Sequence, residues 1–308
     1  MAIDLTKLTA YTDEQRLPII RKAVIGNRTA QEFNLMTGVK GATALNLLST
    51  EVKFGDGSTC GWNEAGKSEL SQRVLTPGAV KVNMSFCDKA MLKYWMNYDV
   101  RVAAGQKTLP FEEDFVNGVI EGVKANLEKA MWQGDTSKVS TDPNIGQFDG
   151  MLKIVDAATG VVKTTYAEGA TITSIVNDMY AKIPSAAFSK GEVVLYMGSD
   201  SYRKYIQELI ANGNLVITNA MNDVPMPDSI LIPGTNVRVI GVAGLDNTGR
   251  FVASYKENFV YGVDMSGDDE KFDLWYSQDN REFRLAVEFV AGVQVAFPDL
   301  VVTASKQA

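Results

Sequence analysis

Residues 110–134 read PFEEDFVNGVIEGVKANLEKAMWQG, and this stretch decides how the rest of the chain is interpreted. Apolar residues recur in it at every fourth position, which is the spacing of one face of an α-helix. Pro110 suits a first helical turn, the acids after it favour the positive end of the helix dipole, and Gly134 is typical of a helix end. The stretch therefore predicts a helix of roughly 35 Å. Its apolar stripe comprises Phe111, Phe115, Val119, Val123, Leu127 and Met131.

Two glycines, Gly118 and Gly122, lie one turn apart inside this helix. A glycine in a helix interior costs about 1 kcal/mol relative to alanine. Two interpretations stay open: the pair is there by chance, or another backbone approaches the helix closely at this point.

The segment before the helix predicts a long two-stranded β-ribbon. Residues 45–54 are apolar and β-prone, and Gly55-Asp-Gly-Ser turns the chain. A polar tip at 63–73 follows, and the chain returns through 74–86, where apolar and polar residues alternate. Such alternation places one face on protein and the other in water. Because a two-stranded ribbon is not stable alone, we expect it to lie on another copy of the chain.

After the long helix, residues 135–150 form a polar loop, and 151–262 alternate helices with strands. The predicted helices are Thr173–Ile183, which Pro184 ends, and Asp200–Asn212, with Ser199 as its N-cap. The predicted strands begin at Glu192, Asn236 and Arg250. Residues 271–303 are strongly β-prone, with one face formed by Phe283, Leu285, Val287 and Phe289. This order of elements indicates an α+β fold.

The chain contains no histidine. This absence excludes Ser-His-Asp and Cys-His nucleophilic systems, histidine bases and every His-ligated metal site. We interpret Cys60 and Cys87 as two buried thiols. The alternative that they form a disulfide stays open. The acids at 264–270 do not have the spacing of an EF-hand loop, and no phosphate-binding glycine motif occurs. We therefore predict no catalytic, cofactor or metal site; the alternative is a histidine-free enzyme that uses carboxylates, such as a glycosidase.

The formal net charge is −7 and the pI is about 4.9. A protein that grips nucleic acid by its phosphates needs a dense Lys/Arg surface, and no such run occurs. No apolar run is long enough to cross a bilayer, and the first residues do not read as a secretory signal. We therefore expect a protein that is made in a cytoplasm and does not enter a membrane.

The order of these pieces resembles the major capsid proteins of tailed bacteriophages, which have the Hong Kong 97 fold. The matching stretches are collinear over most of the chain. They are Trp62-Asn-Glu64 in the ribbon, the return strand at 75–85, the long helix with the Gly134-Asp135 loop, the strand and helix at 192–211, and the closing strands at 283–299. Two departures are Glu288, where many relatives carry a basic residue, and the lack of a long charged helical N-terminal segment, which implies a separate scaffolding protein or none.

The resemblance implies five parts. They are an N-terminal arm (1–44), an E-loop ribbon with the start of the next helix (45–92), a peripheral domain with the spine helix (93–150), an axial domain (151–262), and closing strands of the peripheral domain (263–308). The spine helix carries Phe111, Phe115, Val119, Val123 and Leu127. The assembly interface is expected to use Trp62, Glu64, Lys67, Arg73, Val80 and Val82.

The resemblance also implies a function without catalysis. Copies of the chain would assemble as hexamers and pentamers into an icosahedral shell that encloses double-stranded DNA without sequence-specific binding. Scaffolding, portal and decoration proteins are the expected partners, and the shell would form in the bacterial host cytoplasm as part of the virion. The alternative in the same fold is an encapsulin, a cellular nanocompartment shell.

Overall fold

The computed structural model describes residues 16–54, 58, 66–87, 111–213, 229–264, 271–280 and 282–307. The helices in these ranges are α1 (Arg16–Ile25), α2 (Arg28–Glu32), α3 (Phe111–Gln133), α4 (Met151–Ala157), α5 (Ile172–Lys182), α6 (Ser185–Lys190) and α7 (Ser199–Ala211). Each of the three predicted helices is confirmed to within one residue at either end. None of the described helices is long and apolar enough to cross a membrane.

The first sheet consists of β1 (Asn34–Thr37), β4 (Gly78–Cys87), β10 (Phe259–Val263), β11 (Lys271–Ser277) and β12 (Glu282–Val295). Its strand order is β1-β10-β12-β11, and β4 also pairs with β12. The 14-residue β12 pairs antiparallel with all of β4, β10 and β11. It is therefore the strand around which this sheet is built.

The second sheet consists of β5 (Val162–Tyr166), β6 (Val193–Gly198), β7 (Ser229–Leu231), β8 (Arg238–Val242), β9 (Phe251–Tyr255) and β13 (Val302–Lys306). Its strand order is β5-β13-β9-β6-β8-β7. Every residue of β6 is buried, as expected for a strand with neighbours on both edges and side chains covered on both faces. A third, two-stranded sheet consists of β2 (Thr43–Glu51) and β3 (Lys67–Leu75) alone.

The inner face of the first sheet packs against α3 in one apolar cluster. From the helix stripe the structure buries Val119, Val123, Leu127 and Met131, whereas the side chains of Phe111 and Phe115 lie outside the described residues. From β12 it buries Leu285, Val287 and Phe289. A second cluster lies between α5, α7 and the second sheet.

Several sequence-based boundaries need correction. The single strand predicted from Arg250 is two strands in different sheets, because a 3₁₀ turn at Lys256–Asn258 redirects the chain. β13 belongs to the second sheet, where it pairs with β5 and β9, and not to the closing strands of the first. Ser199 is the first residue of α7 and not its cap; its backbone N–H donates to Asp246 Oδ1 at 2.5 Å.

Candidate assembly surface

The ribbon formed by β2 and β3 differs from the predicted one. The predicted ribbon pairs residues 45–54 with 74–86. In the structure β2 pairs with Lys67–Leu75, a strand that includes most of the predicted polar tip. The alternating segment 78–87 is β4 and pairs with β12 of the first sheet. Alternation identified correctly that Val80 and Val82 face protein, but the protein is the core of their own chain. They are therefore not part of the ribbon.

One face of the ribbon is uncharged and carries two exposed leucines. Leu48 and Leu70 are directly paired across the strands and are 60% and 83% exposed. The pairs on either side of them are polar: Gln72 donates to Asn46 Oδ1 at 2.7 Å, and the hydroxyls of Thr50 and Ser68 are 3.2 Å apart. Beyond the last pair, Val52 and Phe54 are also exposed, at 75% and 101%. Exposed apolar side chains that cluster in this way mark interaction surfaces.

The base of the ribbon is fixed to the body of the molecule. Leu75 is fully buried beside Val39 and Val260. Gln294 Nε2 of β12 donates to the Val74 carbonyl at 2.6 Å, and Arg73 Nη2 donates to Gln294 Oε1 at 3.3 Å. The base of the ribbon is therefore attached to the first sheet. No described residue packs over the face that carries Leu48 and Leu70.

The other predicted interface residues are not brought together. Lys67 is exposed at the start of β3, and Arg73 is half-buried at its end. Trp62 and Glu64 lie outside the described residues. The part of these residues in a contact between copies stays a prediction.

The outer face of the first sheet explains one departure from the capsid pattern. Glu288 of β12 lies opposite Lys81 of β4, and the Glu288 Oε1 to Lys81 Nζ distance is 3.0 Å. An acidic residue at position 288 therefore complements a lysine on the neighbouring strand. Because both side chains are partly exposed, this pair is worth at most about 1 kcal/mol.

The short helix α2 lies at a joint between α3 and both sheets. Thr29 donates from its backbone N–H and its hydroxyl to the Glu128 carboxylate, at 3.0 and 2.5 Å, and accepts a hydrogen bond from Trp132 Nε1 at 2.7 Å. The ring of Phe33, just after α2, contacts Trp132 of α3, Tyr196 of the second sheet and Phe259 of the first. At this joint α2 and the residue after it contact α3 and both sheets.

Two carboxylates of the joint have opposite pKa shifts. Burial raises the pKa of Glu128, and the hydrogen bonds from Thr29 and the charge of Arg28 only partly oppose that effect. Burial also acts to raise the pKa of Glu32, but hydrogen bonds and charge from Arg238 and Lys256 lower it overall. Arg238 donates to both Glu32 oxygens, at 3.2 and 2.8 Å. Neither acid could be singled out from the sequence, since nothing local marks them as buried.

The acidic side chains of the described ranges are not grouped as a metal site. Among those residues no group of three or more Cys, Asp or Glu side chains could hold a metal ion. Asp264 is buried at the end of β10, and the acids at 268–270 lie outside the described residues. Of the surfaces described above, the apolar ribbon face is the one that indicates contact with another molecule.

Comparisons with known proteins connect this fold to viral shells. No family model and no curated protein matches the sequence. Among solved structures, the satellite phage P4 procapsid matches with a TM-score of 0.65 at 12% identity, over 98% of this chain and 97% of that one. Gordonia phage Cozz gives a TM-score of 0.56 at 11% identity, over 91% and 86%. A virus-like particle from Pyrococcus furiosus gives 0.50 at 11% identity, over 94% and 98%. The chain therefore has the fold of phage capsid proteins.

Proposed function

We propose that this chain is the major capsid subunit of a tailed bacteriophage. Its copies assemble as hexamers and pentamers into an icosahedral shell that encloses the phage DNA. The observation that carries the proposal is the uncovered leucine face of the β2–β3 ribbon, on a chain with the fold of a phage procapsid protein. The role is structural and not catalytic.

The ribbon face supplies the driving force for contact between copies. Burying a leucine side chain stabilises a contact by about 1.5–3 kcal/mol, and Leu48 and Leu70 lie side by side. Each copy would both present a ribbon and receive one, which is a heterologous contact. Heterologous contacts that close by rotation form rings, and rings of five and six can tile a closed shell.

The two sheets correspond to the two proposed lobes. The first sheet with α3 forms the peripheral lobe, and the second sheet with α5 and α7 forms the axial lobe, which would meet its copies around the five-fold and six-fold axes. Scaffolding, portal and decoration proteins remain the proposed partners. The proposed location is the virion capsid, assembled in the host cytoplasm.

The variant L70K tests the proposal. Leu70 is 83% exposed, so its replacement should change the free energy of unfolding of the separate subunit by no more than about 0.5 kcal/mol. A lysine buried without a partner at a contact between copies is costly, and we expect electron microscopy to show no closed shells. The control V139K also replaces an exposed apolar residue, in the loop after α3, where Val139 is 51% exposed. Shells of L70K as abundant as those of wild type, or a wild-type chain that stays monomeric at high concentration, would contradict the proposal.

The second candidate is an encapsulin-type nanocompartment shell. It is favoured by the match to the Pyrococcus furiosus virus-like particle, which covers nearly all of both chains. The contents of particles purified from the natural source distinguish the two. Nuclease-protected double-stranded DNA is expected for the phage capsid, whereas a stoichiometric cargo protein without DNA would identify the nanocompartment.

A further inference from the structure

Arg73 lies at the base of the ribbon, and no carboxylate of the described residues forms an ion pair with it. Its Nη2 reaches only the neutral side chain of Gln294, at 3.3 Å, and its Nε is shut off from solvent with no acceptor among the described residues. Burial lowers the pKa of this guanidinium. A charge that is withdrawn from water without a counter-charge is costly to the free subunit.

Three other partly buried arginines of the described chain are paired with carboxylates. Arg238 contacts Glu32 and Glu192, both at 2.8 Å. Arg250 Nη2 lies 2.5 Å from Asp156 Oδ1, and Arg284 Nη2 lies 3.0 Å from Glu282 Oε1. Within the described part of the chain, Arg73 departs from this pattern.

A recess of about 400 Å³ lies in front of Arg73, between the ribbon base and α4. Its walls include Ile154, Ala157 and Gln294. Asp149 also lines it, but that carboxylate already accepts hydrogen bonds from Lys153 Nζ at 2.7 Å and from Thr136. The space is therefore suited to a further carboxylate, which can accept two hydrogen bonds from the planar guanidinium.

A neighbouring copy can deliver that group. Arg73 lies three residues from Leu70, or about 10 Å along the strand, on the opposite face of the ribbon. In a ring each copy has a neighbour on either side, so the copy that faces the recess need not be the one that covers the leucine face. The chain has 37 acidic and 30 basic residues, so a neighbour's surface is rich in carboxylates.

We propose that the recess at Arg73 receives a carboxylate from an adjoining copy, which pairs with the guanidinium when shells form. This proposal rests on the proposed shell function. The pair would release the desolvation cost that the free subunit carries and would favour one orientation of the neighbour.

The variant R73K tests the contact directly. Shells are assembled from a mixture of ¹⁵N-labelled and unlabelled R73K chains and treated with a carbodiimide, which joins an amine and a carboxylate in contact as an amide and takes up the released water. Mass spectrometry is expected to find the amine at position 73 joined to an Asp or Glu peptide in mixed-isotope pairs, which identifies a contact between copies. R21K, at an exposed position of α1, is the control and should give no such product.

A second variant separates this proposal from the shell function itself. In R73Q the subunit should fold, and the critical concentration for assembly should rise about tenfold relative to wild type. Normal assembly of wild type together with unchanged assembly of R73Q, or cross-links only to Asp149 of the same chain, would overturn the Arg73 proposal and leave the shell function intact. If inorganic phosphate raises the melting temperature of unassembled wild type but not of R73Q, the recess is a small-anion site, which also overturns the proposal.

Discussion

At the scale of single residues, Glu128 is an acid that the fold buries together with hydrogen-bond donors for its carboxylate. It is 5% exposed on α3 and accepts both hydrogen bonds that Thr29 donates to it. Because burial raises its pKa above the ordinary 4.5, the folded chain binds this proton more tightly than the unfolded chain does. The corresponding stability is fully present below pH 4.5 and is lost as the pH rises through the folded-state pKa.

The variant E128Q tests this sign, because glutamine does not titrate. The free energy of unfolding of wild type should exceed that of E128Q by the largest amount at low pH. This difference should fall as the pH rises above about 4.5. Urea unfolding of the unassembled subunit at a series of pH values measures the difference. E128A should in addition cost about 1–3 kcal/mol, because the Thr29 donors lose their acceptor. A difference between wild type and E128Q that does not change with pH would contradict the raised pKa.

Glu32 should show the opposite dependence. Arg238 and Lys256 lower its folded-state pKa, so its contribution is present above the unfolded pKa of 4.5 and is lost as the pH falls through the lowered value. At neutral pH the variant E32Q should be destabilised, by about 1.5 kcal/mol, since the Arg238 guanidinium loses a charged acceptor. Unfolding measured in parallel with E128Q provides the comparison. Two slopes of the same sign would be incompatible with the described joint.

At the scale of elements, α3 carries two glycines that its own fold does not require. A Cβ added at Gly118 or Gly122 would meet no atom of the described chain within 4 Å. The contrasting position is Gly244, where an added Cβ would clash with the Glu128 carbonyl and the Trp132 ring. Among the described residues, the helix face at 118–122 is therefore open, whereas there is no space for a side chain at Gly244.

The substitutions G118A and G122A should each stabilise the unassembled subunit by up to about 1 kcal/mol, since alanine is the better helix former. G244A should destabilise it by about 1–3 kcal/mol through overpacking. Thermal unfolding of the three variants checks both directions. Shell assembly then separates the two interpretations of the glycine pair: loss of shells in the more stable variants indicates close approach by another copy, and normal shells indicate chance.

The elements differ in how far their sequence predicted them. α3, α5 and α7 were predicted almost to the residue, because helical period and stop signals are local. The predicted pairing of the β4 segment with residues 45–54 was wrong. An alternation with a period of two indicates which face of a strand is buried, but not which strand pairs with it. The prediction that Val80 faces protein was therefore correct, whereas its assignment to the ribbon was wrong. Glu128 and Glu32 could not be predicted, because their burial depends on α2 reaching α3 and β8 from far away in sequence.

At the scale of the whole molecule, two features of the chain act against each other in assembly. In the proposed shell, the ribbon face would bring copies together through apolar contact, which salt does not weaken. The formal net charge of −7 makes the same copies repel one another. The repulsion is long-ranged only at low ionic strength, since the Debye length falls from about 10 Å at 0.1 M salt to about 3 Å at 1 M.

We therefore expect the critical concentration for shell assembly to fall as sodium chloride is raised from about 0.05 to 0.5 M, where screening is strong. Light scattering and sedimentation of purified subunits measure it. In R73Q the critical concentration should stay above that of wild type at every salt concentration. The variant lacks the proposed half-buried pair at Arg73, and salt screens such a pair less than it screens exposed charges. Sucrose at matched osmolality serves as the control for effects other than screening. A critical concentration that rises with salt would mean that exposed ion pairs, and not the leucine face of the ribbon, hold the copies together.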